Sequence, residues 1–121
     1  MEINRKQFKP GIVILELVGP LQMGVECTRF GLAIDQLLSE KQMRLVLDFT
    51  KVSKIDSGGV GKLVTCFSRF KSAGGVMHLA GIQGMVSGAL RLTKVDRLMK
   101  MYPTVAEACD TFADAQPPSA V

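Results

Sequence analysis

Val46-Leu47-Asp48-Phe49-Thr50-Lys51-Val52-Ser53-Lys54-Ile55-Asp56-Ser57-Gly58-Gly59-Val60-Gly61-Lys62-Leu63 is the stretch from which the rest of the chain can be read. Leu45 to Phe49 is short and almost wholly apolar, the pattern of a strand buried on both faces of a sheet. Ile55 leads into a turn at Asp56-Ser57-Gly58-Gly59. Beyond it Val60, Leu63, Val64, Phe67 and Phe70 recur at helical spacing until Gly74-Gly75 stops the helix. A buried strand therefore delivers a hydroxyl residue to the start of a helix, where Ser57 is expected near the N-cap and exposed.

The same alternation continues on both sides. Upstream, Ile12-Val13-Ile14-Leu15-Glu16-Leu17-Val18 is a β-branched run ended by Gly19-Pro20. Cys27, Phe30, Ile34, Leu37 and Leu38 then fall at helical spacing within residues 24–39. Downstream, Val76-Met77-His78-Leu79-Ala80 reads as a strand, and residues 81–84 as a loop. A short helix is expected to carry Met85, Ala89, Leu90 and Leu92. Met99-Lys100-Met101-Tyr102 is expected as an edge strand closed by Pro103. Thr104 would cap a last helix with Val105, Ala108, Cys109 and Phe112 on one face. Strands alternating with helices of this length predict an α/β domain whose mixed sheet is largely parallel, with about four helices packed on it. One domain over residues 1–115 and a flexible Pro/Ser/Ala tail at 116–121 are expected.

Composition narrows the function. At 121 residues the chain can bury a core without metals or disulfides, and 47% hydrophobic residues against 21% charged indicate a globular protein. Three cysteines, Cys27, Cys66 and Cys109, make a complete disulfide set impossible, and each lies on the apolar stripe of an expected helix. A single histidine, His78, leaves a structural zinc site short of ligands. No cofactor is expected. The net charge of +4 is dispersed, and one tyrosine with no tryptophan offers little for base stacking, so no direct nucleic-acid role is expected. No apolar run reaches the ~20 residues of a membrane span, and residues 1–10 lack a signal-peptide core. A cytoplasmic location without membrane contact is the expectation.

Ser57 has a structural reading and a functional one. As a plain N-cap it would accept a hydrogen bond from a first-turn N–H. Gly58, Gly59 and Gly61 go beyond what a cap needs, since each costs a helix about 0.5–1 kcal/mol against alanine. Glycines around a hydroxyl remove bulk, so that another protein could approach the backbone closely.

The segment Asp48…Ile55-Asp56-Ser57-Gly58-Gly59-Val60-Gly61 resembles the signature of STAS domains, the family of bacterial anti-sigma factor antagonists. Leu17-Val18-Gly19-Pro20-Leu21 is similar to that family's second-strand exit, and Gly74-Gly75-Val76-Met77-His78-Leu79-Ala80-Gly81 to its Gly-Gly strand. Leu92-Thr93-Lys94-Val95-Asp96-Arg97-Leu98 and Ala106-Glu107-Ala108 resemble its later segments, so the resemblance spans most of the chain. It implies partner switching. The unphosphorylated antagonist binds an anti-sigma factor that is itself a serine kinase, which frees a sigma factor for transcription. Phosphorylation of the matching serine, here Ser57, ends that binding, and a phosphatase restores it. Two positions depart from the family pattern: Gly58 replaces the small side chain usual after the serine, and Gln22 stands where antagonists commonly have an acid that helps meet the kinase. The resemblance also admits a non-switching subunit of a lipid-transport or stress-signalling assembly, partnered by an ATPase or a related STAS protein.

Two enzyme readings fail on spacing. Gly58-Gly59-Val60-Gly61-Lys62 lacks the phosphate-loop pattern, because Asp56 occupies the first glycine position and Leu63 the magnesium-binding one. A hydrolase using Ser57, His78 and Asp48 would need glycine two residues before the serine, where Ile55 stands. A binding module and not an enzyme is expected. Its partner face would comprise Gly19, Pro20, Leu21 and Gln22 with Asp56, Ser57, Gly58, Gly59, Gly61 and Lys62, brought to one edge by strands that end side by side.

Overall fold

A computed structural model describes residues 1–114, and the tail expected at 116–121 lies outside them. In chain order the elements are β1 (Glu2–Lys9), β2 (Ile12–Leu21), α1 (Val25–Ser39), β3 (Arg44–Ile55), α2 (Ser57–Ser72), β4 (Val76–Ala80), α3 (Gly84–Leu92), a 3-10 turn (Val95–Arg97), β5 (Met101–Tyr102) and α4 (Val105–Asp114). The five strands lie in sequence order. β1 runs antiparallel to β2, and the other three pairings are parallel. Parallel neighbours need crossovers, and α1, α2 and α3 supply them.

β1 is the element the sequence pattern concealed. Its residues 4–9 are polar except Phe8, and only Ile3 meets the main core. It is an edge strand, where lysine and arginine discourage pairing with other chains. β2 also runs on through Gly19-Pro20 to Leu21, past its expected end. It accommodates the interruption by slipping register against β3 twice, with Gly19 at φ +102° in a conformation few other residues adopt. β3 is longer than expected and carries the ladder as far as the Leu21↔Ile55 pair.

The two sheet faces are covered unequally. Alternate residues of β2, β3 and β4, including Leu15, Leu47 and Leu79, meet Phe30, Leu63 and Phe70 in the main core beneath α1 and α2. The opposite residues Ile12, Ile14, Val46 and Ala80 pack against Ala108, Cys109 and Phe112 of α4. α3 departs from the expected stripe. It buries Val86 and Leu90, whereas Met85 and Leu92 point into solvent, because a nine-residue helix meets the sheet with little more than one row of side chains. All three cysteines are free and buried, and burial pushes each thiol's pKa up.

His78, expected within a strand, lies in β4 and is buried against α4. Its ring stacks on Phe112 at 4.6 Å between centroids, lies 5.1 Å from Tyr102, and its Nδ1 meets the Thr111 hydroxyl at 3.2 Å. On this face of β4, which α4 covers, the imidazole serves as a flat packing surface with one polar tip.

Candidate functional site

β2 and β3 end side by side, and this places two chain reversals next to each other. The β2–α1 connection and the start of α2 meet through one side chain, that of Asp56. Its carboxylate accepts from the Gly59 N–H at 2.8 Å and from the Met23 N–H at 3.1 and 3.2 Å. Its own N–H donates to the Leu21 carbonyl at 3.4 Å. Asp56 is therefore the N-cap of α2, and Ser57, expected near that position, is the first helical residue. Aspartate outcompetes the serine because its carboxylate reaches the third N–H of the turn and still bonds the neighbouring loop. These N–H groups, Gly59 first and Met23 second, hold the Asp56 carboxyl below its usual pKa.

With capping assigned to Asp56, the Ser57 hydroxyl has no hydrogen-bond partner among the described residues and faces solvent. It sits over the N-terminal end of a 16-residue helix with no acidic residue in its first turn, where the backbone presents positive partial charge.

Two of the glycines have a packing reason that the sequence did not show. A Cβ at Gly59 would overlap the Leu21 carbonyl oxygen, and one at Gly58 would lie 2.7 Å from the Met23 Cβ. Both let the first turn of α2 settle against the end of β2 and the loop beyond it. Only Gly61 has open space where a side chain would go. Lys62 is half-buried, with its Cε where a Cβ on Gly31 of α1 would stand.

The residues expected at a partner face thus separate into two sets. Leu21 and Gly59 are buried and support the surface from beneath. Ser57 and Gly61 are exposed, with Pro20, Gln22, Gly58 and Lys62 half-buried around them. The sequence reading missed Met23 and Val25, which are 71% and 68% exposed on the loop that Asp56 anchors and at the start of α1. Apolar residues straddling the expected helix start at Gly24 were the available signal, since nothing in the helical stripe called for them. The side chains of a Ser57–His78–Asp48 triad are not linked: His78 is engaged by Thr111, and Asp48 accepts from the Thr50 N–H and hydroxyl.

The sequence model of the STAS domain matches residues 5–108. The chain belongs to the STAS family. It is similar to a protein of Thermotoga maritima named "Putative anti-sigma factor antagonist", 32% identical over 76 residues that cover 63% of this chain and 67% of that one. A crystal structure of an antagonist so named from the same organism superposes with a TM-score of 0.82 at 27% identity, covering 90% of this chain and 92% of that one. The Bacillus cell fate determinant SpoIIAA in its phosphorylated form has the same fold, with a TM-score of 0.72 at 18% identity over 92% of this chain and 99% of that one. Four helices on a five-stranded mixed sheet are thus the STAS fold. Among the described residues no helix is long and apolar enough to cross a membrane.

Proposed function

We propose that this STAS domain is an anti-sigma factor antagonist that binds an anti-sigma factor with serine-kinase activity and is released from it by phosphorylation at Ser57. The observation that carries the reading is the free, exposed Ser57 hydroxyl at the first position of α2, beside a cap made by another residue. The similarity to the Thermotoga maritima relative supports the partner class.

The chemistry asks little of this chain. The Ser57 oxygen attacks the γ-phosphorus of ATP held by the partner, ADP leaves, and the hydroxyl proton passes to the partner's base. A phosphatase returns the serine by hydrolysis. Ser57 is reachable because Asp56 does not draw its hydroxyl back to the backbone.

Phosphate adds about −1.5 to −2 charges at pH 7. At a helix N-terminus such a charge gains roughly 0.3–1 kcal/mol from the dipole. Repulsion from Asp56 opposes this gain, but solvent screens it at an exposed position. The fold tolerates the group. A partner surface shaped to a neutral hydroxyl, to Gly61 and to the apolar pair Met23 and Val25 has to desolvate a dianion without a counter-charge, which costs several kcal/mol. Release follows from lost complementarity.

The test maps phosphate on protein recovered from its native cell and on wild type and Ser57→Ala incubated with the cognate kinase and ATP. Phosphate on Ser57, none on Ser57→Ala, and a melting temperature nearly unchanged by phosphorylation are expected. Equal labelling of Ser57→Ala refutes the acceptor, and a large fall in melting temperature refutes switching at the surface.

A further inference from the structure

At the far end of α2 from Ser57 there is a second unused surface. β5 pairs with β4 only at Leu79 and Ala80, so on the side away from β3 no strand lies beside the first residues of β4. The gap is a groove of about 190 Å³, with Phe67 and Lys71 of α2, Val76 of β4, Leu98 and Lys100 among its lining. Its rim is apolar and open: Leu98 is 56% exposed and Val76 44%. Among the described residues neither lysine makes an ion pair. The α2 C-terminus accounts for Lys71 in part, since a cation there complements the helix dipole. Lys100 has no such helix end. Leu98 and Lys100 also line a neighbouring hollow of about 420 Å³ along residues 96–102, where Arg97 adds a third cation against the single acid Asp96.

Volume and charge together select the occupant. Pockets that enclose a whole small ligand run from roughly 300 Å³ upward. At about 190 Å³ this groove suits one large apolar side chain, and the adjoining hollow gives the rest of an extended chain somewhere to lie. Three cations around an apolar floor call for carboxylates on either side of that side chain. The site is concave, which favours a peptide over the flat face of a membrane.

We propose that the groove between the C-terminal end of α2, the start of β4 and the Leu98–Lys100 segment docks an extended acidic segment of a partner protein. One large apolar side chain of that segment enters between Phe67, Val76 and Leu98, and its flanking carboxylates meet Lys71 and Lys100. Fourteen residues of α2 separate Ser57 from Lys71, about 21 Å at 1.5 Å per residue. The groove therefore works independently of the phosphorylation state, so one partner can stay attached while another is exchanged.

The probe is a capped five-residue peptide with one leucine between paired glutamates, titrated into the ¹⁵N-labelled protein. Saturable amide shifts at Lys71, Val76, Leu98 and Lys100 are expected. The double variant Lys71→Glu/Lys100→Glu should weaken binding at least about tenfold, since opposing like charges cost more than the ~1.4 kcal/mol of one decade. Both side chains are exposed, and an unchanged melting curve confirms that this variant folds. Ser57→Asp should bind the peptide as wild type does, which separates this site from the switch. Absence of saturable shifts at millimolar peptide overturns the proposal. So does equal binding of a peptide with lysines for the glutamates. Vesicles of phosphatidylglycerol that bind through Lys71 and Lys100 where the peptide does not would assign the surface to lipid and overturn it too.

Discussion

Replacing Gly59 and Gly61 by alanine, one at a time, separates what the fold requires of this turn from what a partner requires. Both lie in the first turn and a half of α2, and alanine favours a helix over glycine by about 0.5–1 kcal/mol at either. Space decides the difference. At Gly61 the new methyl meets nothing, so Gly61→Ala should gain that amount. At Gly59 it overlaps the Leu21 carbonyl oxygen and falls 2.8 Å from the Ile55 Cγ1. The isoleucine can turn aside, but the carbonyl belongs to β2 and accepts the Asp56 N–H, so α2 itself has to lift. Overpacking costs roughly 1–3 kcal/mol and about 2–3 where backbone itself has to move, so a net loss of about 1–2 remains after subtracting an alanine gain of up to ~1. For a domain of this size about 4 °C accompanies each kcal/mol. Gly59→Ala should melt ~4–8 °C below wild type and Gly61→Ala ~2–4 °C above it, by circular dichroism at pH 7. The sharper outcome concerns binding: the stabilised Gly61→Ala should lose partner affinity, because its methyl stands on the exposed face beside Ser57. A Gly59→Ala protein that melts at or above wild type would refute the close approach of α2 to β2.

Two further substitutions probe charge. Asp56→Ala removes the cap and the bonds to Met23 and should lower the urea midpoint at pH 7; Asp56→Asn, which keeps an acceptor, should lower it less. Because the Asp56 carboxyl is held below its usual range, its contribution is full above the unfolded value of ~3.9 and is lost as pH falls through the folded value; urea unfolding at pH 7 and pH 3 should show the Asp56→Ala deficit shrinking in acid. Burial, with Lys100 nearby, lowers the His78 pKa, so the unfolded chain binds its proton more readily. Stability should therefore be complete above about pH 6.5 and fall as pH drops below that value, and His78→Phe should flatten that slope, since the chain has no other histidine.

What the sequence disclosed followed from how strongly each segment is constrained. Leu45 to Phe49 is buried on both faces, so nearly every residue announces a central strand. β1 is constrained on one side and at the sheet edge, and Ile3 alone carries the core signal. α3 misled because Met85 and Leu92 are apolar without being buried, and a short helix offers too few turns to average out such residues. His78 shows the same limit from the other side. Its burial depends on α4 crossing β4 from more than thirty residues away, and nothing local reports that contact. The Ser57 turn was located correctly, but that Asp56 makes the cap was not legible. Aspartate and serine are comparable caps by propensity, and only the position of the Met23 N–H, set by the end of β2, favours Asp56.

That division of roles between neighbouring residues bears directly on switching. A serine that caps a helix has its oxygen committed to a backbone N–H, and attaching a phosphate there alters the bond that starts the helix. Here the cap is a carboxylate one residue earlier, already fully engaged with Gly59 and Met23. Ser57 inherits the favourable field of the helix end without any duty in forming it. In the proposed switch its hydroxyl would be modified and restored while the turn beneath it, locked by the Asp56 bonds and by the contact of Gly59 with Leu21, keeps its shape. A reversible signal needs both properties at one place: a group free enough to react and a scaffold indifferent to the reaction. The Asp-Ser order at positions 56 and 57 provides them, and exchanging the two residues should yield a helix still capped but a hydroxyl no longer available.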